Sequence, residues 1–160
     1  PGTQLYTEGQ NLAGLTYSFE NIITFLFALA LPFLTSKFSM KLTHFICLIT
    51  GGIGLILINF VENSGQIWML FVIMGMVGIA WSSILSMPYA LLTGCLPQNK
   101  IGIYMGIFNF FIVLPEILAS LFFGKVMEHW LDGSRMAAVT IGGVLLIIAG
   151  LLTLRVKEND

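Results

Sequence analysis

Five long apolar runs, separated by short polar breaks, constrain this chain more than any other feature of it. They cover 11–34, 42–60, 67–96, 101–123 and 136–154. A helix that spans a bilayer needs about 20 mostly apolar residues, and each run supplies that length. β-Barrel strands would show alternating runs of about ten residues, a pattern absent here. Charge supports the same conclusion. Only 9% of the residues are charged against 57% hydrophobic, where a soluble domain carries roughly 25% charged residues. A lipid-facing surface resolves that deficit. The expected fold is therefore an all-α integral membrane bundle of five transmembrane helices.

Basic residues set an expected orientation. Lys37, Lys41, Lys100, Arg155 and Lys157 fall at one end of such a bundle. Lys125 and Arg135 fall at the other, beside Glu8, Glu62, Glu128 and Asp132. The richer end is assigned to the cytoplasm, which puts residue 1 outside and the C-terminus inside a multi-pass protein of the cell membrane. Trp68 and Trp130 then fall at the outer boundary, where indoles anchor helices. The chain opens on Pro1 with no signal-peptide pattern, and we expect upstream helices to precede it. With a net charge of −1 and no clustered basic stripe, nucleic acid is not an expected partner. Cys47 and Cys95 have no metal-ligand spacing. His44 and His129 are read as surface residues.

Three of the runs carry polar side chains at helical spacing: Tyr17, Glu20, Asn21 and Thr24; Ser82, Ser86, Tyr89 and Thr93; Asn109, Glu116 and Ser120. Their offsets place each set on one helix face. Such faces within greasy helices point to a polar passage, because a carboxylate at bilayer depth costs on the order of 2.5–3.5 kcal/mol unless paired, protonated or hydrated. Glu116 has two readings, a proton or hydroxyl-binding group at a cavity, or a structural hydrogen bond between helices. Glu20 with Asn21 has the same alternatives, and so does Asn109, whose amide suits sugar hydroxyls. Trp81 could stack on a sugar ring or simply pack, as could Tyr17 and Tyr89. Pro88 and Pro115 are expected to bend their helices. The third run is longer than a bilayer core is thick, which a bend at Pro88 would accommodate.

The first and fourth runs each hold a mid-membrane Glu, and the second and fifth each hold a glycine cluster (Gly51, Gly52, Gly54 against Gly142, Gly143, Gly150). Runs three to five would form one three-helix unit. Runs one and two would form its inverted mate, lacking one helix before residue 1. The first, third and fourth runs should line the path, with the second and fifth facing lipid or bracing the bundle.

The stretch Gly78-Ile79-Ala80-Trp81-Ser82-Ser83-Ile84-Leu85-Ser86-Met87-Pro88-Tyr89-Ala90-Leu91 resembles the tenth helix of major facilitator superfamily transporters, in the sugar–cation symporter branch that includes sucrose–proton symporters. A Ser-x-Pro-(Phe/Tyr)-Ala-Leu core recurs there. The following stretch, from Gly102 through Asn109 to Pro115-Glu116-Ile117, resembles the eleventh helix of that branch. Ala13-Gly14-Leu15 and Asn21 are similar to the start of the eighth. Two departures stand out. Glu116 occupies a position where Gln is expected, and the loop 36–41 keeps basic residues but lacks the superfamily's Asp. The resemblance implies an incomplete C-terminal six-helix bundle of a major facilitator fold over 1–160, with the upstream half missing. It implies proton-coupled symport of a di- or oligosaccharide by alternating access. No organic cofactor or metal is expected, only protons or another cation as the coupling ion. The partners expected are a small-molecule sugar, the lipid bilayer and the missing N-terminal helices. The alternative is a small five-helix membrane subunit for binding or assembly. No nucleophile, phosphate-loop or zinc motif is present, and an enzyme is not expected.

Overall fold

Each apolar run closes into one helix because a backbone in hydrocarbon must satisfy its own hydrogen bonds. The computed structural model describes residues 4–156, without the side chains of 62–64 and 98. Pro1 and Lys157, and the side chain of Glu62, therefore lie outside the described residues. The helices are α1 (Gln4–Lys37), α2 (Met40–Ser64), α3 (Trp68–Gly94), α4 (Ile101–His129) and α5 (Arg135–Thr153), with a single 3₁₀ turn at Gln98–Lys100. All five are long and apolar enough to cross a membrane. The chain is an all-α, multi-pass membrane protein, with no strand among the described residues.

Two helices outrun their apolar cores. α1 is described from Gln4 rather than residue 11: Gln4, Leu5, Glu8 and Gln10 are good helix formers that outweigh Gly9, and Gln4 Nε2 donates to Glu8 Oε1 one turn on, at 3.1 Å. α4 continues past Gly124 to His129, since Lys125-Val126-Met127-Glu128 carries no breaker. It stops where Asp132 and Gly133 adopt φ of 47° and 72°, a left-handed pair that turns the chain into α5. Ser39 and Ser134 cap α2 and α5, accepting from the backbone N–H groups of Leu42 and Ala137. Pro88 and Pro115 lie within continuous helices, as does Pro32.

The helices pack in the spatial order α1, α3, α2, α5, while α4 makes little contact with that row. Glycine sets the spacing. A Cβ on Gly52 would lie 2.7 Å from the carbonyl oxygen of Gly143, and one on Gly143 would lie 2.7 Å from that of Gly52. The next turn repeats the exchange: Ile147 packs on Gly52 and Ile56 on Gly143. Gly51 admits Ala80 of α3, and Gly54 admits Met76. Small residues let backbones approach in this way where lipid supplies no hydrophobic drive between helices. One polar tie, Asn59 Nδ2 donating to Thr140 Oγ1 at 2.8 Å, reinforces the α2–α5 seam.

Any two antiparallel helices in close contact are related locally by a two-fold axis across them, and for α2 and α5 it passes between Gly52 and Gly143. Because α2 and α5 are spatial neighbours that run in opposite senses, this axis lies across the helices rather than along them. Of the two glycine clusters only Gly52 and Gly143 meet there; Gly51 and Gly54 face α3, and Gly150 packs on Leu48 and Ile49. α2 braces the bundle from its centre, with α3 on one side and α5 on the other.

Candidate functional site

The polar stripe of α1 separates into two environments. Glu20 is 4% exposed and sits in the α1–α3 seam. Thr24 Oγ1 donates to Glu20 Oε1 at 2.9 Å and also reaches the carbonyl of Gly78 on α3 at 3.1 Å. Gly78 is required there: a Cβ would stand 2.7 Å from the Glu20 carbonyl oxygen. Glu20 thus belongs to a hydrogen-bonded helix crossing. Tyr17 and Asn21, a few residues away, remain exposed. Asn21 Nδ2 donates to the Tyr17 carbonyl at 2.8 Å, a bond within its own helix.

On α3 the stripe likewise turns partly inward. Ser82 is buried, donating to Ile79 O at 2.8 Å, while Ser86 is exposed and donates to Ser82 O at 2.8 Å. Thr93 donates to Tyr89 O at 2.9 Å. These i−3 and i−4 bonds satisfy hydroxyls without leaving the helix. Trp81 is 47% exposed. Ser86, with Pro32, Thr35 and Met40, lines a cavity of about 240 Å³ between α1 and α3.

Across helices, the structure joins one pair from the candidate set. Tyr89 Oη donates to Asn109 Oδ1 at 3.0 Å, and the Tyr89 ring meets Phe108 edge-on with centroids 5.2 Å apart. This bond carries α4 on α3. Glu116 and Ser120 stand exposed further along α4, which has no buried residue along its length. Glu20 and Glu116 are therefore on separate surfaces, one in a packed seam and one on a bare helix.

Two residues were misjudged or missed from sequence. His44 is not a surface residue: it is 7% exposed, and its Nδ1 lies 2.7 Å from Oγ of Ser83. It shares the inward stripe of α2 with Cys47, Leu48 and Gly51, and that spacing was the available signal. Ser83 lies beside the expected polar face of α3, which runs through Ser82 and Ser86, and is buried against α2. Cys47 is buried and Cys95 exposed, and both thiols are free. Among the described residues no cluster of three or more His, Cys, Asp or Glu could hold a metal ion.

Chemically, this arrangement offers exposed hydroxyl, amide and indole groups on adjacent helices, an unpaired carboxyl on α4, and glycine seams that fix the packed row. No family model, curated protein or solved structure matches this chain.

Proposed function

We propose that this chain is the C-terminal part of a secondary active transporter that moves a di- or oligosaccharide together with protons by alternating access. The observation that carries this reading is the reciprocal Gly52–Gly143 contact between antiparallel helices. Inverted-repeat transporters relate their repeats by a two-fold axis in the membrane plane, one repeat rocking against the other around a site at mid-membrane, and the Gly52–Gly143 crossing is compatible with such an axis. Exchanging α1 with α4 and α2 with α5 leaves α3 as the one helix without a mate. That mate would touch α4 and α5 as α3 touches α1 and α2. The bare surface of α4 and the open space beside Gly142 leave room for such a helix.

Tyr17, Asn21, Trp81, Ser86, Tyr89, Asn109 and Glu116 are the groups proposed to meet sugar or coupling proton. Glu20 acts at one remove, by holding α1 on α3. The proposed setting is the cell membrane, with the C-terminus in the cytoplasm as the basic residues favour. The bare α4 also favours a second reading, a five-helix subunit that docks a partner through that helix. Seven helices encoded upstream support the transporter. An initiator Met just before residue 1 supports the subunit.

The mate helix gives a sharp expectation at one glycine. Gly51 admits Ala80, while its two-fold equivalent Gly142 meets only Leu55, at 4.0 Å. In this chain alone, Gly142→Ala should stabilise by about 0.5–1 kcal/mol, the helix-propensity gain. In the full-length protein the same change should destabilise by about 1–3 kcal/mol through overpacking. Thermal unfolding of both proteins decides it, and equal stabilisation in both removes the mate helix.

Transport itself is tested by uptake of labelled disaccharides into vesicles holding the full-length protein, with and without a pH gradient. Gradient-driven uptake is expected, and Glu116→Gln should abolish it while leaving sugar exchange at equal pH. Uptake unaffected by the substitution removes Glu116 as the proton carrier. Absence of any sugar uptake overturns the transporter reading.

A further inference from the structure

The cavity at the opposite end of the α2–α3 seam from Trp68 has a volume of about 310 Å³. It lies where α2 and α4 begin and α3 and α5 end, with Leu91, Cys95, Phe108 and Thr153 among its walls. His44 is the imidazole on that wall. Its Nδ1 is fixed 2.7 Å from Ser83 Oγ, a side chain with 0% exposure, and the Cys47 thiol lies against the same hydroxyl. The Nδ1 contact is the one hydrogen bond of this ring among the described residues. No buried side-chain nitrogen or oxygen there lacks a partner, so Nε2 is not sealed inside protein. The cavity that the ring lines is the open space beside it.

We propose that His44 is a proton-binding site served by this cavity, with Ser83 as its anchor. In the neutral ring Nδ1–H donates to Ser83 Oγ, and the Ser83 hydroxyl donates onward to Cys47 Sγ. The Nε2 lone pair is then presented to the cavity. Binding forms one N–H bond at Nε2 with a proton taken from hydronium that reaches the ring from the aqueous phase through the cavity mouth and leaves as water, and the ring passes from neutral to singly positive. Nδ1–H donates to Ser83 in both states, so the buried end is undisturbed by the change. The titratable and charged neighbours are few: Lys41 lies one turn before the ring on α2, and Arg155 sits between the lining residues Thr153 and Val156. Cys47 faces the ring from its own helix and Cys95 from the end of α3. α4 and α5 contribute Phe108, Thr153 and Val156, and α1 contributes nothing to the lining. With no carboxylate on the wall to hold the imidazolium, the proton is exchanged rather than retained. An ionisable side chain inside a membrane span is a functional-site candidate by default. The site stands whether or not the protein carries sugar.

The test is ¹⁵N-histidine NMR of this chain in lipid nanodiscs. The sequence holds 2 histidines, and His129→Asn removes the exposed one, leaving a single ring to assign. We expect reversible titration between about pH 5 and 8, the window in which imidazole changes charge. The neutral limb should show the proton on Nδ1. Ser83→Ala should mix the two neutral tautomers. A ring that does not titrate in that window overturns the proposal in the unsubstituted chain, independently of how well the variant folds. So does a neutral ring protonated on Nε2, or a tautomer that ignores Ser83→Ala.

Discussion

Gly52→Leu is expected to destabilise this protein by about 3 kcal/mol or more, the upper end of what overpacking costs. The reason is the identity of the neighbour. The first atom a Cβ would meet is the Gly143 carbonyl oxygen at 2.7 Å, with the Ile147 amide nitrogen 3.3 Å away. A crowded side chain can change rotamer, but a helix carbonyl cannot move without its helix. α5 must then shift outward along its whole length, and the Asn59–Thr140 hydrogen bond, 2.8 Å long, is lost with it. Gly143→Leu should produce the same loss, because its Cβ meets the Gly52 carbonyl in the same way. Trimming Ile147 to Ala should fail to rescue Gly52→Leu. Thermal unfolding followed by circular dichroism reads all three, and an unshifted midpoint in either glycine variant would remove the seam from the account.

Gly78→Leu should have a different, local effect. α1 is held to the row chiefly by α3 and meets α2 only slightly. The substitution drives a side chain into the Glu20 carbonyl and Ile23, at 2.7 and 3.2 Å. It also removes the geometry by which Thr24 reaches the Gly78 carbonyl. Separation leaves the Glu20 carboxyl exposed to hydrocarbon or to invading water, which costs several kcal/mol unless it is hydrated or protonated. Amide exchange in α1 should therefore rise by about two orders of magnitude, corresponding to about 3 kcal/mol of lost protection. α2 and α5 should keep theirs. Uniform loss of protection across all helices would show that α1 is integral to the row rather than hung from it.

The positions of the five helices were readable from the chain because hydrocarbon length sets a strict minimum and the breaks carry serine caps, glycine and charge. Which side of each helix faces protein was much less readable. In a soluble helix the apolar stripe names the buried face, but here both faces are apolar. Glycine proved the better guide. Gly51, Gly52, Gly54, Gly78 and Gly143 all lie at helix contacts, while Gly102, Gly106 and Gly124 on α4 meet nothing. The polar stripes named groups correctly placed on common helix faces, yet a stripe cannot say what it faces. Glu20 turned into a seam, Tyr17 and Asn21 outward, and Glu116 onto a helix with no packed side. His44 was misjudged for a related reason: a polar residue near a helix end reads as wet, unless its spacing from Cys47, Leu48 and Gly51 is given more weight than its polarity.

The central place of α2 has a consequence for biogenesis. Its two glycine-lined sides are met by α3, which follows at once, and by α5, which is synthesised only after α4. At a translation rate of about 5–20 residues per second, α2 waits several seconds in the bilayer with its Gly52 groove unfilled. During that interval the groove is open to any small-faced helix passing in the membrane. Slowing elongation between α3 and α5 should therefore raise the yield of mispaired protein, and the short connection from α2 to α3 limits that exposure to one flank.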